Sequence, residues 1–425
     1  MSAKQFISSL FLCVLLTACA SNDIYRSAFT PCTVTQQQSC QQNSVQVHNA
    51  SKESEYSLSF LEIDDQGQIR DRKQLRALLD NLYQIGARDQ VLINVFVHGW
   101  HHNASYDDEN VASFQQSLEK LSQIEHQLSK KQNRDRRKVI GVYVGWRGTS
   151  IDLPVIRYLT FWDRKNTAQE IGHLGVSELL LGLEEIVTVK NASNEKTKSR
   201  LVTIGHSFGG AVVYSATSQI LASRFLDSQS GTNARGDAKG FGDLVVLLNP
   251  AFEALRFAPL YDLAQSRCSY FETQRPRLVI LTSEFDLATR LAFPAGRWFS
   301  TFFESHQQIQ REECKRSHLL HEGYADRNTV GHYDRLVTHE LKPVTKKTDT
   351  KSQAVDSLID HWRKQREGTS TQIGPTILTH LGKTHPQNPF LNIYVDSQLI
   401  SGHNDVFGED IMEFIRQLIV LSAGS

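Results

Sequence analysis

Residues 201–213 read LVTIGHSFGGAVV. An apolar, β-branched run ends at Gly205, and the helix-like run GGAVVYSATSQILASRFL follows. Ser207 therefore belongs on a strand-to-helix turn. Gly205-His206-Ser207-Phe208-Gly209 fits G-x-S-x-G, which a chain this long meets by chance about 0.15 times at ordinary residue frequencies. The context carries the weight. A nucleophile raised on a sharp, strained turn needs a strand before it, a helix after it and no bulk on either side. The start of the helix also turns N–H groups toward the site. The competing reading is a helix-capping serine in a glycine-rich turn.

Around this stretch, strands and helices alternate. QVLINVFV (90–97), KVIGVYVGW (138–146), GDLVVLLNP (242–250), PRLVILTS (276–283) and PFLNIYV (389–395) read as near-continuous apolar strands. ENVASFQQSLEKLSQIEHQL (109–128), AQEIGHLGVSELLLGLEEIV (168–187) and EDIMEFIRQLIVL (409–421) read as amphipathic helices. YSLSFLEIDDQGQI (56–69) reads as a hairpin, and RDRKQLRALLDNLYQIG as a helix ending at Gly86. Such alternation implies an α/β fold, with a mostly parallel sheet covered on both faces. Residues 287–388 break the rhythm and read as a lid-like insertion before the last strand. Its aromatic run RWFSTFFESH (297–306) is expected to form an acyl wall or lid, or to join the core, the core being favoured.

A serine hydroxyl needs a base, usually a histidine oriented by a carboxylate. For a nucleophile on such a turn the chain order is serine, acid, histidine. Asp286 closes RLVILTSEFD just beyond an apolar strand, with Glu284 as its competitor. His403, in SGHNDVFGED, follows the last strand and precedes the last helix; His332 and His385 compete. An oxyanion site needs two fixed N–H donors. Phe208 N–H supplies one, and Trp100 N–H supplies the other, from the turn in VFVHGWHHN (95–103). His98, Gly99, His101, His102 and His206 flank these groups as candidates for substrate contact, although exposure is favoured for His101 and His102.

These four segments, in this order, resemble the α/β-hydrolase superfamily near its serine esterases and lipases, over residues 55–286 and 389–423. The resemblance implies an eight-stranded, mostly parallel sheet and hydrolysis of carboxylic esters through an acyl-serine, with lipid or other apolar esters as substrates. Thioesterase, amidase and acyltransferase chemistry fit the same residues. So does a non-catalytic envelope protein that binds a partner.

The rest of the chain bounds its setting. Forty-six basic and 46 acidic side chains give zero formal charge, so the footprint of a nucleic-acid binder is absent. Residues 1–18 read as a signal peptide, with an apolar stretch too short to span a membrane. Leu16-Thr17-Ala18-Cys19 resembles the bacterial lipobox, which implies acylation of Cys19 and a membrane anchor. Ala20 next to it implies the outer membrane. Residues 19–54, with TQQQSCQQNS inside, read as a polar tether. The remaining four cysteines, in an oxidising compartment, suggest Cys32–Cys40 and Cys268–Cys314 among three pairings. No HExxH, Walker lysine or dinucleotide fingerprint occurs, so no metal or cofactor is expected.

Overall fold

The computed structural model describes residues 23–148, 161–193, 195–314, 317–344 and 355–423. The leader and Cys19 lie outside them. One twelve-stranded sheet organises the chain. In chain order its strands are β1 (Cys32–Thr33), β2 (Val45–His48), β3 (Tyr56–Glu62), β4 (Val91–Val97), β5 (Lys138–Gly145) and β6 (Arg200–His206). There follow β7 (Leu244–Leu248), β8 (Leu278–Ser283), β9 (His339–Pro343), β10 (Ser370–Ile373), β11 (Thr376–His380) and β12 (Phe390–Val395). Across the sheet the order is β1-β2-β3-β5-β4-β6-β7-β8-β12-β9-β11-β10. From β3 to β9 all neighbours run parallel. Antiparallel pairings appear only toward the edges.

The central strands are buried on both faces because their alternate residues feed two cores. In β4, Val91, Ile93, Val95 and Val97 pack on one face and Leu92 and Phe96 on the other. Helices α1 (Arg72–Arg88), α3 (Phe161–Gly172), α4 (Gly175–Asn191), α5 (Phe208–Asp227) and α6 (Ala254–Ser266) cover the first face. Helices α2 (Glu109–Lys131), α9 (Val355–Arg363) and α10 (Glu409–Ala423) cover the second. Between these, α7 (Phe293–Ser300) and α8 (Glu322–Arg327) lie in the stretch after β8. No helix among the described residues is long and apolar enough to cross a membrane.

Five expectations are corrected. The sheet has twelve strands rather than eight, because both flanking segments add to it. The presumed tether supplies β1 and β2 and is fixed by Arg26, whose buried guanidinium lies 3.9 Å over Phe60 and bonds Ala104 O. The segment 287–388 supplies β9, β10 and β11 to the far side of β12, so part of it extends the sheet. The helix expected over 168–187 is two helices. The N–H of Gly175 donates to Gly67 O at 2.9 Å, and Leu174 leaves helical geometry at φ −122°, ψ −101°. The hairpin over 56–69 shrinks to a single Ile63–Ile69 bridge beyond β3. Both expected disulfides are present, with Cα separations of 5.9 Å for Cys32–Cys40 and 5.2 Å for Cys268–Cys314.

Strand order fixes where a site can form. From β4 the chain steps outward to β5, then returns to β6 on the other side of β4. Loops leaving β4 and β6 therefore diverge, and a crevice opens at their C-terminal ends. The turn after β4 carries His98-Gly99-Trp100, and the turn after β6 carries Ser207.

Candidate active site

Ser207 sits between β6 and α5 with φ 55° and ψ −120°. A non-glycine residue reaches that region only under strain, which marks such positions as functional candidates. Its side chain makes no cap hydrogen bond to α5, so the capping reading fails. Its Oγ instead lies 2.7 Å from His403 Nε2. Close approach explains the neighbouring glycines. A Cβ on Gly209 would overlap the carbonyls of Val97 and His98, and one on Gly99 would lie 2.8 Å from Ser207 Cβ.

His403 follows β12 in the loop before α10. Its Nδ1 lies 2.9 Å from Asp286 Oδ2. A carboxylate only accepts, so Nδ1 carries the proton and Nε2 is left to accept from Ser207. Asp286 is fully buried. It accepts from Ala288 N at 3.0 Å, Thr289 N at 3.1 Å and Thr289 Oγ1 at 2.6 Å. Burial alone would raise its pKa. Hydrogen bonds from His403 and Thr289, with the His403 charge, outweigh burial and hold the carboxyl below its ordinary value. The imidazole is 22% exposed while Ser207 is buried, so the three groups meet solvent on the His403 side.

The competitors go elsewhere. Glu284 accepts from Ser397 N at 3.0 Å. His385 Nδ1 accepts from Gln387 N. His332 lies behind the acid, its Nε2 3.1 Å from Thr289 Oγ1. Thr289 gives its only proton to Asp286, so His332 must donate. Burial lowers the pKa of His332 to about 4, which keeps it neutral.

Among the expected substrate contacts, His98 and His206 are buried supports instead. His98 Nδ1 donates to Gly99 O at 2.8 Å, and its Nε2 accepts from Trp146 N at 3.0 Å. The Gly99–Trp100 peptide is trans, so its N–H points opposite to the carbonyl that His98 holds. His98 thereby fixes the direction of the Trp100 N–H. His206 Nε2 donates to His403 O at 2.8 Å. Burial, then the His403 charge, lowers the His206 pKa to about 3; burial lowers that of His98 to about 4. His102 Nδ1 lies 3.2 Å from Asp108, the N-cap of α2. His101 is exposed and stacks on Trp100.

Sequence reasoning missed Asn249, Ser283 and Thr289. Asn249 Nδ2 donates to Gly402 O at 3.2 Å and His403 O at 2.9 Å, while its Oδ1 accepts from Ser283 N at 2.9 Å. Ser283 Oγ donates to Ile400 O at 2.6 Å. The available signal was position: Asn249 and Ser283 close β7 and β8 at the edge where Ser207 leaves the sheet.

Elsewhere, ligand atoms of Glu304, His306 and Asp326 lie within 4.8 Å of one another. Arg297 already bonds Asp326 at 2.8 Å and supplies a cation there. The aromatics expected to favour the core are at the surface: Trp298, Phe302 and Phe303 are exposed.

No protein-family model, curated protein or solved structure matches this chain.

Proposed function

We propose that this chain is a serine hydrolase of α/β-hydrolase fold, anchored in the outer membrane through Cys19, that cleaves carboxylic esters of lipid or other apolar character. The observation that carries the reading is the Asp286–His403–Ser207 hydrogen-bond chain ending on a strained serine at the switch point of a parallel sheet.

In this reading Ser207 Oγ attacks the ester carbonyl carbon while His403 Nε2 takes its proton. The buried Asp286 carboxylate stabilises the imidazolium and fixes its tautomer. Negative charge builds on the former carbonyl oxygen. The N–H groups of Phe208, at the head of α5, and Trp100, aimed by His98, receive that charge. Collapse expels the alcohol, which takes the proton from His403. Water then gives a proton to His403 and attacks the acyl carbon, and collapse breaks the bond to Ser207 Oγ, which takes the proton back from His403 as the acid leaves. His206 and Asn249 hold the His403 carbonyl, which limits how far the imidazole can swing from Ser207.

The test is hydrolysis of p-nitrophenyl esters of graded chain length. Asp286→Asn is expected to lower kcat by about 10⁴-fold, as for a triad whose imidazole loses its oriented tautomer. Glu284→Gln is expected to stay within a few-fold of the parent. Equal losses in both variants would remove Asp286 from the assigned role.

A further inference from the structure

We infer that the sheet edge carrying Ser207 faces a lipid bilayer, and that the apolar strip from Phe285 to Phe303 rests on it. The inference depends on the proposed acylation of Cys19 and is independent of which bond Ser207 cleaves.

The first observation is where the chain enters the fold. The N–H groups of Tyr25 and Arg26 donate to Glu62 at 3.0 and 2.9 Å. Glu62 ends β3, at the same edge as Ser207. Asp23 lines a small cavity there with His102, Asn103 and Trp146, from the loops after β4 and β5. Cys19 is only four residues ahead of Asp23. Four residues span at most about 14 Å even when fully extended. A seven-residue strand such as β4 is about 23 Å long. An acyl group on Cys19 therefore holds the membrane close to the Ser207 edge, and the opposite edge is out of its reach.

The second observation is what that edge exposes. Phe285, Leu287, Leu291, Trp298, Phe302 and Phe303 are between 49% and 96% exposed. They begin directly after β8, at the edge where Asp286 meets His403. Trp298 packs on Phe302 and Phe302 on Phe303, with ring centroids 5.7 and 5.2 Å apart, and soluble monomers seldom expose clustered aromatics without a partner. From Phe285 to Phe303 the only carboxylate is Asp286, which is buried. Arg290 is exposed and Arg297 is paired with Asp326. No exposed acid within the strip opposes anionic headgroups, and tryptophan suits the bilayer interface. The anchor's reach favours a bilayer over a second copy of the chain as the occupant. Esters carried in that bilayer would then reach Ser207 from the membrane side.

The test uses the full lipidated chain in phosphatidylcholine–phosphatidylglycerol vesicles with brominated acyl chains. Acylation of Cys19 is read by alkynyl-palmitate labelling against Cys19→Ala. Trp298 emission is taken as the difference between the parent and Trp298→Phe. The expected result is label on Cys19 and quenching of Trp298. Phe302→Ser with Phe303→Ser should lose the quenching and keep hydrolysis of a short soluble ester. A labelled chain whose Trp298 is unquenched overturns the orientation alone, including the case where it elutes as a dimer in detergent. A chain without label overturns the anchor and the orientation together. Neither outcome touches the reactivity of Ser207, which fluorophosphonate labelling reads separately.

Discussion

Asn249 holds three atoms of the site at once: the Gly402 and His403 carbonyls and the Ser283 N–H. Its φ of 42° lies in the left-handed region, where asparagine and glycine are tolerated best. Asn249→Gly keeps that backbone and removes the three hydrogen bonds. We expect it to lose about 2–4 kcal/mol in urea unfolding and about 10- to 100-fold in kcat, from a displaced imidazole. Unchanged kcat would show that Asp286 and His206 position His403 without Asn249. Ser207, Asp286 and His403 were legible because each follows an apolar strand, so pattern fixes their edge of the sheet. Asn249 and Thr289 were not, because their roles rest on partners that folding alone brings near. His98 and His206 were misread as substrate contacts for the same reason. Histidine beside a serine reads as chemistry until its burial and carbonyl partners are known.

The elements that were missed are short and marginal in apolar content. β9, β10 and β11 read HELKP, STQI and TILTH, and bury only alternate residues. None gives the continuous apolar run that marked β4 or β8. The Gln-rich N-terminal stretch hid β1 and β2 because its polar groups are used internally: Gln46 Nε2 donates to Cys40 O at 2.8 Å. Disulfides tie down two peripheral segments. Cys268–Cys314 closes a separation of 46 residues and joins the end of α6 to the Gln308–His321 hairpin. Loop-closure entropy puts its contribution at about 4 kcal/mol. Cys32–Cys40, with a separation of 8, contributes about 2.5 kcal/mol on the same basis. Cys268→Ser with Cys314→Ser should therefore lower the urea midpoint more than Cys32→Ser with Cys40→Ser. The reverse order would show that strain or residual denatured structure outweighs loop length.

Over the whole molecule, buried neutral histidines set the response to acid. His98, His206 and His332 have pKa values lowered to about 4, 3 and 4. In the unfolded chain a histidine protonates near pH 6.5. Below that pH the unfolded state binds more protons, so stability present above about pH 6.5 is lost as pH falls toward 4. Each such histidine contributes up to about 1.4 kcal/mol per pH unit. Asp286 and Glu253, both held below their ordinary values, add to the loss at lower pH, with the same sign. Thermal unfolding should show Tm falling steeply between pH 6.5 and 4, and His332→Phe should flatten that slope. A Tm independent of pH in that window would contradict the neutral burial of these groups. The parallel core was legible because strands buried on both faces need unbroken apolar runs. The strand order, which creates the crevice at β4 and β6, is a property of long-range pairing and had to come from the structure. In the proposed function this crevice holds an activated serine. Labelling with a fluorophosphonate probe, followed by peptide mass spectrometry, reads that activation at the residue itself. A single phosphonylated residue, Ser207, is expected, with no labelling of folded Ser207→Ala. A folded chain that takes no label, or takes it equally in Ser207→Ala, would contradict it.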